Sequence, residues 1–191
     1  MQNDNPISRR TLFIGGAAAA LLAGCANGVG ENASARLDAR VDATRQFLLT
    51  NYPNAAGMIQ NAKGVLYMPL MTEAGFGFGG AYGQGALRIN NATVDYYSAA
   101  QASVGFQIGA QQYAHVLVFQ TDEALANFRA APGWVAEAGA FYALPANGIS
   151  MGADTITAQQ PVVAMIFGQS GLMAGASIAG TKYSRIIPST F

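Results

Sequence analysis

The chain has 191 residues with ten basic and ten acidic side chains, so it lacks the basic excess of a nucleic-acid binder and that class is excluded. Only 10% of its residues are charged, against about 25% in an ordinary soluble domain. With 51% hydrophobic residues and 23 glycines, the composition suits tightly packed sheets or a protein that works against a membrane.

Residues 1–24 read as an export signal rather than as part of a fold. Ser8-Arg9-Arg10-Thr11-Leu12-Phe13 carries the paired arginines of a twin-arginine signal. The apolar run from Leu12 to Ala23 is well short of the roughly 20 residues that span a bilayer. It ends in Leu22-Ala23-Gly24-Cys25, which looks like a lipobox. Acylation of Cys25 with cleavage before it is therefore expected, giving a lipoprotein that faces the periplasm. Ala26 follows where an aspartate would suggest inner-membrane retention, so the outer membrane is the expected address. Loss of Arg9, Arg10 and Asp4 with the signal leaves 8 basic against 9 acidic residues. Cys25 is the only cysteine, so no disulfide is expected.

Residues 25–32 form a short lipidated tether, and residues 33–191 have the length of one domain. A helix is predicted from Ala33 to Thr50, because Leu37, Val41, Thr44 and Leu48 fall on one face. That stripe suits docking onto a sheet, and insertion into a membrane is the other use for it. Tyr52-Pro53 breaks the helix, and Asn54 is placed to cap a second short one ending near Asn61.

Strand character begins at Gly64. Val65–Met68 reads as a first strand ended by Pro69, Gly75–Ile89 as a long strand or strand pair, and Asn90-Asn91 as a turn leading to Thr93–Tyr97. Ser103–Ala110 and Ala114–Phe119 read as another hairpin. Thr121-Asp122-Glu123 opens a short helix that buries Leu125 and Phe128. Further strands are predicted at Trp134–Tyr142, Gly148–Thr157, Val162–Phe167 and Leu172–Ile187. The expected fold is α+β: N-terminal helices packed on a predominantly antiparallel, glycine-rich curved sheet, either a sandwich or a partial barrel.

Three segments share glycine, a large apolar residue, two more residues, glycine and a small residue: Gly75–Gly80, Gly105–Ala110 and Gly171–Ala176. Such strands present a bare surface that lets another layer approach closely or the strand bend sharply. These blocks, with Ala62-Lys63-Gly64-Val65 before them and Val116–Phe119 and Glu123-Ala124-Leu125 among them, resemble the SYLF domain family from about Leu37 to Ile187. The resemblance implies a membrane-associated, lipid-binding module. Eukaryotic members bind phosphoinositides, with the N-terminal helix implicated, and yeast relatives bind and bundle actin. For a bacterial envelope, binding to phospholipid or to an anionic membrane surface is what carries over. Arg36, Arg40, Arg45 and Lys63 are the basic residues on or near that helix and are the candidate lipid contacts. An envelope protein is the alternative partner class. The eukaryotic domains carry more basic residues than this chain, which argues against strong phosphoinositide affinity.

Signals for catalysis are sparse. His115 is the only histidine, and a triad with Ser98 and Asp95 has no nucleophile-elbow motif behind it, so a structural or surface role is expected. The glycine blocks lack the Gly-Lys-Ser/Thr ending of a phosphate loop. No metal, cofactor or enzymatic activity is expected. Tyr96, Tyr97, Tyr113, Trp134, Phe141 and Tyr142 are assigned to the core, with a membrane-edge cluster as the alternative.

Overall fold

A computed structural model describes residues 31–136, 160–171 and 177–189. The first helix, α1 (Glu31–Asn51), buries Ala33, Leu37, Val41, Thr44 and Leu48. The predicted stripe is therefore its docking face, set against the sheet. Full burial of each larger aliphatic contributes about 1.5–3 kcal/mol. Pro53 stops the helix and opens a 3-10 turn at Pro53–Ala55, followed by α2 (Ala56–Asn61). Asn54 is not the cap expected of it. It lies inside the 3-10 turn, and Ala55 takes the N-cap position with no side-chain bond.

Two strands dominate, β1 (Gly64–Ile89) and β2 (Ala92–Phe119), joined by Asn90 and Asn91 at φ 50° and 64°. Both turn residues occupy the left-handed region, as a two-residue hairpin turn of the right twist requires. The pair runs antiparallel from Ile89↔Ala92 to Gly64↔Phe119. Pro69 does not end the first strand as expected. It falls at a register shift between Met68 and Met71, on a strand whose only ladder partner among the described residues is β2, where a missing N–H is tolerated. The hairpin expected between Ser103–Ala110 and Ala114–Phe119 is likewise one continuous strand.

Midway, the ribbon bends. A Cβ on Gly75 would lie 2.9 Å from the Cα of Gly79, whereas residues four apart in a straight strand are about 13 Å apart. Across the bend, Phe76 pairs with Ile108 and Phe78 with Val104, so two steps along β1 match four along β2. The lower arm of β1 (64–76) and its upper arm (78–89) then close on each other. A Cβ on Gly83 would run into the carbonyl oxygen of Leu70, and one on Gly85 into that of Tyr67. Here the glycines serve close approach of backbone to backbone.

Helix α3 (Asp122–Ala130) follows, capped by Thr121 Oγ1, which accepts from the Ala124 N–H at 3.2 Å. Strand β3 is only Trp134–Val135, β4 spans Val162–Gly171, and β5 spans Lys182–Ile186. Strand β4 pairs with the C-terminal half of β2, β5 with its N-terminal half, and β3 with β5, all antiparallel. With each long strand counted as two arms, this is an α+β fold with a curled half-barrel of seven antiparallel segments. The strand expected over Leu172–Ile187 shortens to β5, because Gly180 at φ 79° and a bond from Thr181 N to Ile178 O form a turn before it. Residues 137–142, the strand expected at 148–157, residues 172–176 and Cys25 lie outside the described residues.

Alternation along β2 separates two cores. Val116 and Val118 face α1 and α2, meeting Val41, Leu48 and Ile59. Tyr113, Leu117 and Phe119 face the concave interior, where α3 inserts Leu125 and Phe128. The Phe128 ring sits 4.7 Å from Tyr97, 4.8 Å from Phe119 and 5.5 Å from Trp134. Tyr97 and Tyr113 are thus core residues, as assigned from sequence.

Candidate functional site

Helix α1 lies across β1, with its Arg36 and Arg40 flank toward Leu70, Thr72 and Tyr82 and its Asp38 and Asp42 flank toward Arg88 and Thr93. Arg45 lies beside Val65 and Tyr67, Phe47 beside Pro69 and Leu70, and Arg36 beside Thr72. Beside the buried stripe runs a second flank, Arg36, Arg40, Ala43 and Phe47, spaced by three and four residues. That flank does not close against β1. It leaves a cavity of about 380 Å³ between Arg36, Leu37 and Arg40 on the helix and Leu70, Thr72 and Tyr82 on β1. A second cavity, of about 410 Å³, continues past Leu70 toward Phe47, Tyr113 and Phe167. Phe47 stacks on Phe167 with centroids 6.0 Å apart. Phe47, Leu70 and Tyr82 all remain exposed, which makes this an apolar groove with two guanidinium groups at one end.

The charges around α1 are unevenly matched. Arg88, from the upper arm of β1, takes both aspartates of the helix, Asp42 at 2.9 Å and Asp38 at 3.6 Å. Asp38 also accepts from the Thr93 and Tyr96 hydroxyls, each at 2.8 Å. Burial and this neighbouring carboxylate hold the Tyr96 phenol above its ordinary pKa. Arg36 and Arg40 are exposed and make no ion pair among the described residues.

Of the four basic candidates, the fold brings Arg36 and Arg40 together, one turn apart. Arg45 is roughly 140° further round the helix. It lines a separate cavity with Tyr67 and Arg88, and its positive charge partly offsets the rise that burial imposes on the Tyr67 phenol. Lys63 precedes β1 and sits 3.4 Å from Asp122, both side chains exposed. The groove partners Phe47, Leu70 and Tyr82 were not nominated from sequence, since single apolar residues in strands and helices read as core.

The interior is polar at one level. His115 is fully buried, and its Nε2 shares a hydrogen bond of 2.7 Å with the Tyr183 hydroxyl. Burial pushes the imidazole down to about 3 and the Tyr183 phenol well above its usual value. Four residues back along β2, Gln111 donates to the buried Glu73 carboxylate at 2.7 Å. Burial, with that carboxylate nearby, raises the Tyr113 phenol to about 12. The paper triad is not assembled. Asp95 pairs with Arg129 at 3.0 Å and Arg185 at 3.3 Å, and the Ser98 hydroxyl donates to the Ser184 carbonyl. Among the described residues, no group of three or more His, Cys, Asp or Glu side chains could hold a metal ion. No described helix is long and apolar enough to cross a membrane.

Residues 100–186 match the family model described as Ysc84, Las17-binding protein actin regulator, whose domain is also called SYLF. This segment belongs to the SYLF family. The match takes in most of β2, α3, β3, β4 and β5. Helices α1 and α2, β1 and the groove's two arginines lie ahead of it. Comparison with curated proteins gives no match. Val116, Val118, Val163 and Met165 of the matched segment share one buried cluster with Val41 and Leu48 of α1 and Val65 and Tyr67 of β1.

Proposed function

We propose that this is a non-catalytic lipoprotein, held by lipid on Cys25 and facing the periplasm from the outer membrane, whose SYLF domain binds phospholipid at an anionic membrane surface. The observation that carries the reading is the pairing of Arg36 and Arg40, exposed and without acidic partners among the described residues, with an apolar groove of about 380 Å³. Phospholipid offers both complements: an anionic phosphate for the guanidinium fork and an acyl chain for the walls formed by Leu37, Leu70 and Tyr82. Near an anionic bilayer each basic residue adds about 1 kcal/mol, so two give a reversible contact that reinforces the anchor.

The test is co-sedimentation of the mature chain, begun at residue 25 and carrying Cys25→Ala, with vesicles of neutral or mixed anionic lipid at low and moderate salt. Salt-sensitive binding to the anionic vesicles supports the reading. Absence of binding to either overturns it. A second reading rests on the family description, which names binding to the protein Las17 and regulation of actin. On that reading the groove holds a segment of an envelope protein, and the Cys25 lipid alone supplies membrane contact.

A further inference from the structure

The bend in the long hairpin carries a feature that the groove does not use. Phe76 and Phe78, on either side of Gly77, are each 78% exposed, although an apolar side chain of this size is normally drawn into the core. The strand around them is also without charge. From Ala74 to Leu87 on β1, and from Tyr96 to Phe119 on β2, there is no Asp, Glu, Lys or Arg. The nearest carboxylate on β1, Glu73, is buried and bonded to Gln111. Two bare phenylalanines on a charge-free tip need a partner that is apolar and tolerant of a blunt shape.

The tip's position selects the partner. The groove lies between Thr72 on the lower arm and Tyr82 on the upper arm. Phe76 and Phe78 are each four residues further on, so the bend extends at most about 13 Å beyond the groove. The flank of α1 that carries Arg36 and Arg40 lines the same groove, on the side of β1 nearer the bend. Six residue steps separate Glu31 from Cys25, a reach of at most about 20 Å. Arginine pair and phenylalanine tip thus lie toward one side of the molecule, within that reach of the proposed anchor.

We infer that Phe76 and Phe78 form a wedge that enters the interfacial region of a phospholipid bilayer while Arg36 and Arg40 meet its phosphates. The backbone tolerates shallow entry, because the bend stays paired to β2 through Phe76↔Ile108 and Phe78↔Val104. Deeper entry would bury the unpaired edge of β1 without partners. This inference rests on the lipid-binding reading and adds the surface that does the inserting.

The experiment uses the same Cys25→Ala mature chain with Trp134→Phe, which removes the one native tryptophan, and with Phe76→Trp or Phe78→Trp as reporter. On addition of vesicles made of mixed anionic lipid, the reporter emission shifts to the blue and is quenched by lipids brominated near the headgroup. Phe76→Ala with Phe78→Ala lowers the partition coefficient about tenfold for each phenylalanine removed. It does so for neutral as well as anionic vesicles, while Arg36→Ala with Arg40→Ala affects only the anionic ones. If the chain binds vesicles and the reporters stay in water, the wedge is overturned and the groove reading survives. If the chain binds no vesicles, the lipid reading itself fails. If the phenylalanine pair instead holds a dimer, the double alanine variant slows concentration-dependent sedimentation and leaves vesicle binding unchanged, and that too overturns the wedge.

Discussion

Closure of the half-barrel on itself predicts opposite outcomes for two glycine-to-alanine changes. At Gly85 the added Cβ would meet the Tyr67 carbonyl oxygen and the Met68 sulfur. The thioether can swing aside, but the carbonyl belongs to a paired strand and cannot. Overpacking of this kind costs about 1–3 kcal/mol, and a backbone obstacle puts Gly85→Ala near the upper end. Relief of glycine's entropy in the unfolded chain returns about 0.5–1 kcal/mol. The net expectation is a loss of about 2 kcal/mol. Gly57, inside α2, has nothing within 4 Å of its added Cβ. Gly57→Ala therefore gains up to about 1 kcal/mol from helix propensity alone. Urea unfolding at 25 °C reads both, and with a slope of about 1–3 kcal/mol per molar the two midpoints separate by about 1–3 M. Equal stability of Gly85→Ala and the parent would refute the close approach of the two arms.

Other outcomes follow from the same geometry. His115 is held near 3 by burial, below its unfolded value of 6.5, so the unfolded chain binds the extra proton first. Its stabilising contribution is complete above about pH 6.5 and is lost as pH falls from there toward 3, by up to about 1.4 kcal/mol per pH unit. Unfolding titrations of the parent should show that slope, and His115→Gln should flatten it. Thr121→Ala removes the cap of α3 and costs about 1 kcal/mol, measured by the same unfolding. Lys63→Ala changes stability by less than about 0.5 kcal/mol, because its pair with Asp122 is exposed.

Local chemistry made part of the fold readable. The α1 stripe, the Asn90-Asn91 turn and the Thr121 cap each announce themselves within a few residues, and each is where the sequence puts it. Pro69 misled because its cost depends on whether its N–H has a ladder partner, and a register shift on an edge strand removes that cost. The length of β2 was hidden for a related reason. The stretch between Ala110 and Ala114 read as a hairpin turn, yet Gln111 carries on the ladder and bonds to Glu73 from the opposite strand. At the candidate site, the helical spacing of Arg36 and Arg40 was legible, but not their lack of acidic partners among the described residues. That depends on Arg88, which crosses from the upper arm to take Asp38 and Asp42. The wedge was hidden too, because Phe76 and Phe78 in a glycine block do not announce the bend between Gly75 and Gly79 at which they lie exposed.

The central claim is that the arginine pair beside the groove recognises anionic lipid. Its most direct test is the partition of the Cys25→Ala mature chain and its Arg36→Gln, Arg40→Gln variant onto anionic vesicles as salt is raised. At about 1 kcal/mol per basic residue, the variant should bind about 30-fold more weakly at low salt, and the difference should shrink as salt screens the charges. Identical partition of the two proteins at every salt concentration would contradict the account.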